Sequence, residues 1–213
     1  MGTANRIIMN ATACTRLPEF RFAVLILLAT LAVSAAAQNT TFQLDPGQTS
    51  VNFTLGDVLH TVRGTFRLKR GSLQFEPATG KISGEIVVDA RSGDSGSGMR
   101  DRKMHKEILE SETYPDISFR PDRIEGAVAK QGKSSVKVHG IFNIHGVDRE
   151  ITVPADVEIS GGRWTATVHF TVPYAKWGMK NPSTLFLRVN DSVEIDLAAA
   201  GSVANPATAT ATQ

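Results

Sequence analysis

Residues 136–159 read VKVHGIFNIHGVDREITVPADVEI and alternate apolar with polar side chains on both sides of a His145-Gly146-Val147-Asp148 turn. The apolar phase holds Val136, Val138, Gly140, Phe142 and Ile144 before the turn, and Ile151, Val153, Ala155, Val157 and Ile159 after it. Alternation with period two is typical of a strand that buries one face, and a tight turn between two such strands indicates a hairpin. This stretch therefore predicts antiparallel strands with one face in water.

The same alternation extends along the chain in both directions, over residues 51–55, 58–68, 72–75, 82–90, 117–119, 164–172 and 193–199. Together with the hairpin, these runs give eight or nine strands joined mostly by short connections, so neighbours in sequence should pair antiparallel. Closing such a sheet into a barrel removes its exposed edges. An outer-membrane barrel would carry aromatic girdles, for which two Trp and two Tyr are too few. The sequence therefore predicts an all-β protein, a barrel with an apolar interior.

Residues 91–119 break the alternation. A Gly/Ser-rich run over 92–98 precedes Met99, Met104 and Ile108, which recur at roughly helical spacing. This pattern predicts one helix-bearing excursion around residues 96–111. Excursions of this length in a compact domain usually form lids or binding loops, so we expect the segment to close or frame one end of the barrel.

The first residues resemble a targeting sequence. Three arginines precede an apolar run at 23–33, and small residues follow at 34–37. This order predicts a secretory signal peptide over residues 1–37; a membrane anchor, the alternative, would need an apolar run of ~20 residues. We therefore expect a periplasmic or secreted protein with one barrel domain at 38–200 and a disordered Ala/Thr/Pro-rich tail at 201–213.

Charge and cysteine content exclude several classes of function. Residues 1–37 contain three of the 23 Lys/Arg and one of the 21 Asp/Glu, which leaves 20 of each and no net charge beyond them. Without a basic patch, the sequence predicts no nucleic-acid partner. Cys14 is the only cysteine and lies in the predicted signal, so the mature chain would have no cysteine nucleophile or thiolate metal site. We expect that the mature protein, after removal of the signal peptide, is not an integral membrane protein.

Catalytic motifs are absent: the chain has no Gly-x-Ser-x-Gly, no His-Glu-x-x-His and no phosphate-binding loop. Asp101 and His105, one turn apart on the predicted helix, could orient an imidazole for acid–base chemistry, but an ordinary surface ion pair is the favoured interpretation. His60 shares a phase with Val62 and Phe66. It is either a core histidine or a hydrogen-bond donor to a ligand head group inside the barrel.

The predicted interior is rich in aromatic side chains. We expect the lumen to be lined by Phe53, Phe66, Phe119, Phe142, Trp164 and Phe170, together with His60, and its helical end by Met99, Met104 and Ile108. An eight-stranded barrel can be filled by its side chains or can hold one small ligand. Gly64, Gly84 and Gly140 fall on the apolar phase, where they favour a cavity or ease the bending of the strands. Both interpretations stay open.

Several short motifs recur in a characteristic order. They are LDP at 44–46, SVNF at 50–53, VRGTF at 62–66, MRDRKMH at 99–105, YPDISF at 114–119, GIFNIHGV at 140–147, WG at 177–178 and VEI at 193–195. In this order they resemble the YceI-like family of secreted lipid- and polyisoprenoid-binding proteins. The resemblance implies an extended eight-stranded antiparallel barrel, lipocalin-like in shape, whose lumen takes an isoprenoid chain such as that of a quinone. Gln48 and Thr49 stand where the family commonly has His-Ser, which leaves the head-group preference open.

From the resemblance and the residues together, we expect a non-catalytic protein that carries or sequesters an isoprenoid lipid or an isoprenoid quinone, with no other cofactor and no metal. Two alternatives belong to other classes. One is an enzyme acting on a lipophilic substrate through Asp101 and His105, and the other is an interaction module with a filled barrel and a functional outer face. The sequence leaves the oligomeric state open, a homodimer included.

Overall fold

Nine antiparallel strands and one short helical segment make up the computed structural model, which describes residues 39–56, 61–184 and 188–204. The strands are β1 (Thr40–Leu44), β2 (Ser50–Gly56), β3 (Thr61–Glu76), β4 (Lys81–Asp94), β5 (Asp116–Glu125), β6 (Gly132–Ile144), β7 (Val147–Ser160), β8 (Arg163–Val172) and β9 (Val193–Ala204). Helix α1 (Gly98–Lys103) continues into a π-helical turn (Met104–Ile108). The predicted signal peptide and His60 lie outside the described residues.

The nine strands occupy eight positions around a closed barrel. β1 and β2 share one position, because both pair with β3 on one side and with β9 on the other. The strand is interrupted between them at Asp45-Pro46. Proline has no N–H to donate to a neighbouring strand, and the Asp45 carboxylate accepts a hydrogen bond of 2.8 Å from the Gly47 amide. Pairing of β3 with β4 closes the ring. The predicted eight-stranded antiparallel barrel is confirmed.

β3 is one strand, where the sequence suggested separate runs at 58–68 and 72–75. Its pairing with β4 shifts register between Leu68 and Arg70. Lys69 and Arg70 are both exposed, after which Leu73 returns to the interior. A bulge adds one residue and reverses the phase of everything after it, which is why one strand has the pattern of two.

β9 continues beyond the predicted start of the tail. Residues 201–204 were expected to be disordered, but Gly201 pairs with Leu44 of β1 and Ser202 with Arg163 of β8. The expectation was wrong here because ladder bonds are made by backbone groups, which an Ala-rich composition supplies as well as any other. Residues 205–213 lie outside the described part of the chain.

The predicted excursion is confirmed as helical. α1 begins at Gly98 with no side-chain cap at Ser97, and the amide of Leu109 reaches back five residues to the Met104 carbonyl at 2.8 Å. Antiparallel pairing places this segment, the β6–β7 turn at 145–146 and the connection starting at 173 at the same end of the barrel, which we call the helical end.

Within the described residues, no helix is long and apolar enough to cross a membrane.

The glycines of the apolar phase sit where strands approach each other closely. A Cβ on Gly140 would lie 2.5 Å from the Arg120 carbonyl oxygen and 2.6 Å from Pro121 Cα, beside a register shift in β5. At Gly84, φ is +116° and a Cβ would meet the Ser72 carbonyl oxygen. At both positions a glycine is needed because a neighbouring backbone approaches too closely for a side chain; that these glycines ease strand bending stays a prediction.

Gly140→Ala should destabilise the protein by about 1–3 kcal/mol, because the added methyl group forces two backbones apart. Urea denaturation followed by circular dichroism measures this, with Gly47→Ala as the control, since a Cβ there has its nearest contact at 3.4 Å. Equal midpoints for the two variants would show that the strands do not touch at Gly140.

Candidate binding site

The barrel encloses a cavity of about 420 Å³ whose walls are almost entirely apolar. This volume falls within the range of about 300–1,000 Å³ that small-molecule sites occupy. Its walls include residues from both hydrophobic clusters of the core, one around Trp164 and one around Phe142. The interior is therefore not filled by its own side chains, and the alternative that required a filled barrel is wrong.

Trp164 lies at the end of the cavity opposite the helical end. Its ring meets that of Phe42 edge-on at a centroid distance of 5.4 Å, and its indole N–H donates to the Gln43 carbonyl at 3.3 Å. Since this N–H already has a partner, the ring presents only apolar surface to the cavity. Ala166 and Ala199, paired across β8 and β9, add small side chains to the same region.

The aromatic residues predicted for the lumen are brought together around the cavity. Its lining includes Phe53, Phe66, Phe119, Phe142, Trp164 and Phe170. Phe53 and Phe66 lie 5.4 Å apart between ring centroids, and Phe142 meets Phe170 edge-on at 5.8 Å. Their contact with a ligand stays a prediction, as does the role of His60.

Met104 and Ile108 line the cavity at its helical end, whereas Met99 is 76% exposed and does not line it. The expectation that Met99 shares their face was wrong. Met99 lies in α1, whereas Met104 and Ile108 both lie in the π-helical turn that follows, so one helical spacing does not place all three side chains on the same face.

Polar side chains that line the cavity are few, and three of them cluster at its helical end. The Arg100 guanidinium donates to the Ser95 hydroxyl at 3.2 Å and to the Ser95 carbonyl at 2.9 Å, and Lys103 Nζ donates to the Pro182 carbonyl at 3.3 Å. Sequence reasoning missed this group. The sequence feature that could have revealed this group is that Arg100 precedes Met104 by four residues. Side chains four residues apart lie on the same face of a helix, so Arg100 is on the side that faces the cavity.

The connection beginning at residue 173 completes the helical end. Tyr174 and Met179 from this connection line the cavity. The Tyr174 hydroxyl donates to the Asn190 carbonyl at 2.6 Å, and burial together with the nearby Asp191 raises the pKa of Tyr174 to about 12. Arg149 of β7 holds the connection, because its guanidinium donates to the Trp177 carbonyl at 2.7 Å and lies 5.1 Å from the centre of that ring.

Asp101 and His105 make neither a hydrogen bond nor an ion pair with each other, so the predicted surface ion pair is wrong. The Asp101 carboxylate accepts from the Ser95 amide at 2.8 Å and from the Ser95 hydroxyl at 2.6 Å. His105 Nε2 lies 2.9 Å from the Gly93 carbonyl, and its Nδ1 lies 3.1 Å from the Ser111 hydroxyl. Because a carbonyl only accepts, Nε2 donates to Gly93, and the other ring nitrogen is hydrogen-bonded to the Ser111 hydroxyl. Both side chains therefore fasten the helical segment to residues at and just after the end of β4.

Ser111 beside His105 does not form an accessible nucleophile–base pair. The serine is 2% exposed and does not line the cavity.

Among residues 39–56, 61–184 and 188–204, no three His, Cys, Asp or Glu side chains converge on a point where a metal ion could bind.

The charge on Asp101 contributes to this fastening. Burial raises its pKa, but the hydrogen bonds from Ser95 and the nearby His105 and Arg100 outweigh burial and hold the pKa below its usual value. A lowered pKa means that the ionised form is stabilised by the fold. This stabilisation is present above the unfolded pKa of about 3.9 and is lost as the pH falls through the folded value.

A model of the YceI-like domain matches residues 42–200. The chain belongs to the YceI-like family. The match begins in β1 and ends in β9, so it covers all eight positions of the barrel and the helical excursion between β4 and β5. The resemblance drawn from the short motifs is confirmed.

One sequence relative and two solved structures are similar to this YceI-like chain. A UPF0312 protein of Vibrio parahaemolyticus is 25% identical over 133 residues, which cover 59% of this chain and 67% of the relative. The crystal structure of Burkholderia cenocepacia BcnA aligns with a TM-score of 0.61 at 21% identity, over 75% of this chain and 99% of BcnA. A polyisoprenoid-binding domain from Saccharophagus degradans, implicated in plant cell wall breakdown, aligns with a TM-score of 0.58 at 17% identity, over 76% of this chain and 98% of that domain. These likenesses show the fold.

Asp101→Ala should loosen the helical segment without unfolding the YceI-like barrel. It removes two hydrogen bonds worth about 1 kcal/mol each or somewhat more, so amide hydrogen exchange over residues 95–109 should accelerate by about tenfold or more. Mass spectrometry of the exchanged peptides measures this. Asp94→Ala is the control, because that carboxylate bonds only the amide of Gly96; equal acceleration in both variants would contradict the fastening role.

Proposed function

We propose that this YceI-like protein binds an isoprenoid lipid, either a polyisoprenoid or an isoprenoid quinone, in its barrel and carries or sequesters it in the periplasm or outside the cell. The observation that carries the proposal is the apolar cavity, bounded by aromatic rings and closed at one end by Trp164. The Saccharophagus relative, described as polyisoprenoid-binding, supports the class of ligand.

The energetics of such a site favour a hydrocarbon chain. Burial of one methylene gains ~0.8 kcal/mol, so a five-carbon isoprene unit gains on the order of 3–4 kcal/mol before costs. Ordering a flexible chain and losing its free motion cancel much of this gain. A few buried units suffice for tight binding, and the depth of the cavity then selects for chain length.

The distribution of polar groups supports one orientation of the ligand. The Trp164 end offers a bound lipid no unpaired donor among the described lining residues, whereas Arg100 and Lys103 present cations at the helical end. The oxygen atoms of a quinone or a phosphate accept hydrogen bonds from such donors. The isoprenoid tail therefore points toward Trp164, and the head group lies beside α1.

The proposed role is non-catalytic. Its support is that Asp101 and His105, the pair considered for acid–base chemistry, are each hydrogen-bonded to structural partners: Asp101 Oδ1 to Ser95, and the two ring nitrogens of His105 to Gly93 and Ser111. Neither side chain lines the cavity, so neither lies where a buried ligand could meet it.

Extraction of the purified protein with organic solvent, followed by mass spectrometry, tests the proposal. The expected result is a prenyl lipid in a ratio approaching one per chain. The delipidated protein should then take up a prenyl quinone with quenching of its tryptophan fluorescence. A protein that yields no prenyl lipid and does not take one up afterwards would refute the proposed function.

Ala199→Phe should shorten the longest isoprenoid chain that binds and leave the affinity for short chains unchanged. Ala199 is buried and lines the cavity beside Ala166, so a phenyl ring there fills the deep end. Titration with quinones of increasing tail length measures the cut-off. The control is Ala198→Phe, which adds the same ring on the exposed face of the same strand; identical cut-offs in both variants would contradict the proposed orientation.

A further inference from the structure

The helical segment has an outward face as well as the face that lines the cavity. Met99, Arg102 and Lys106 are all exposed. Met99 and Arg102 lie about 60° apart around α1, at about 100° per residue, and Lys106 follows in the π-helical turn. We propose that this docking face, Met99, Arg102 and Lys106, binds the surface of an anionic lipid bilayer. The proposal goes beyond cavity binding and does not depend on which lipid the cavity holds.

The cations of the docking face are not tied to a particular carboxylate. In the described part of the chain, neither Arg102 nor Lys106 forms a hydrogen bond or an ion pair, although Lys106 is close enough to Glu107 to help lower the pKa of that carboxyl group. The carboxylates of the same segment are already engaged: Asp101 accepts from Ser95, and Glu107 forms an ion pair of 2.6 Å with Lys180. Among the described residues, no carboxylate therefore holds either cation in an ion pair, and both can meet an anion from outside.

Positive charge exceeds negative charge in the helical segment and in the connection beside it. Residues 98–109 contain four Lys/Arg and two Asp/Glu, and residues 173–192 contain Lys176, Lys180 and Arg188 against Asp191. Glu110 and Glu112 follow the helical segment, and Glu110 lies 3.6 Å from His145 at the β6–β7 turn. Attraction to an anionic surface would therefore act on the helical segment and the connection at 173–192, where the positive excess lies.

Apolar exposure coincides with the positive charge. The exposed large apolar side chains among the described residues are Met99, at 76%, and Val147, at 43%, and Val147 starts β7 at the same end of the barrel. Cationic residues beside an exposed apolar side chain form the combination that binds an anionic membrane interface, with the apolar group entering the head-group region. Methionine suits this position because its flexible side chain adapts to irregular surroundings.

The docking face also lies next to the cavity. Arg100 and Lys103 line the helical end of the cavity on the same six-residue helix that carries Met99 and Arg102. Docking would bring this end of the cavity against the bilayer. An apolar ligand could then pass from membrane to barrel with little exposure to water, which is the main barrier to its transfer.

Co-sedimentation with lipid vesicles tests the proposal. The full chain should bind vesicles of phosphatidylglycerol and phosphatidylcholine at low salt, bind pure phosphatidylcholine at least about tenfold more weakly, and dissociate as salt is raised. R102E/K106E should weaken binding to the anionic vesicles by at least about tenfold, and Met99→Ser should weaken it less. The matched control is K130E/K133E, which makes the same charge change on exposed residues at the opposite end of the barrel.

Equal losses in the two charge-reversed variants, or no difference between anionic and neutral vesicles, would overturn the docking face. Absence of vesicle binding would overturn it too and would leave an acidic protein as the partner of this surface. Because all variants keep the same N-terminal residues, any contribution from those residues cancels in the comparison.

A transfer assay separates this proposal from the proposed function. R102E/K106E should slow the movement of a fluorescent prenyl quinone from anionic vesicles to the protein by about tenfold, while the amount bound at equilibrium stays the same, because neither residue lines the cavity. Slower transfer with equal capacity supports docking. A cavity that takes up no quinone while vesicle binding persists would refute the carrier role alone, and equal transfer rates would refute the docking face alone.

Discussion

Closure of eight strand positions into one hydrogen-bonded ring is the constraint on which the rest of this structure depends. Closure fixes the width of the interior, and the period-two alternation turns every apolar face inward. The side chains on those faces, among them Phe53, Phe142 and Trp164, surround the interior without filling it. A cavity with apolar walls therefore follows from strand number and alternation together, and it needs no specialised motif.

Alternation in the sequence predicted the barrel and the aromatic walls, because side-chain direction in a strand is set by parity alone. Alternation gave wrong expectations where a bulge interrupts it, and where backbone atoms alone decide whether a residue joins a strand. The bulge at Lys69 and Arg70 shifts the phase of β3, and the pairing of Gly201 depends on backbone atoms that composition does not reveal. The fold was thus largely predictable, while its exceptions required knowledge of the partner strand.

The candidate site was predictable only in its walls. Helical spacing brought Asp101 and His105 to one face, but their partners, Ser95 and Ser111, lie outside the helix and are chosen by tertiary packing. The same packing decides that Arg100 faces the cavity while Met99 faces solvent. A six-residue helix without a side-chain cap has little stability of its own, so its orientation is imposed by these external bonds.

The shared position of β1 and β2 has a mechanical consequence for the barrel. β1 completes the circumference near Trp164, through residues such as Phe42, and β2 completes it independently near Phe53. Each of these short strands has its own hydrogen bonds to both neighbours, so the loss of one set of bonds leaves the other set in place. The ring is thus closed twice at this position, once toward each end, whereas one uninterrupted strand would close it through a single continuous ladder.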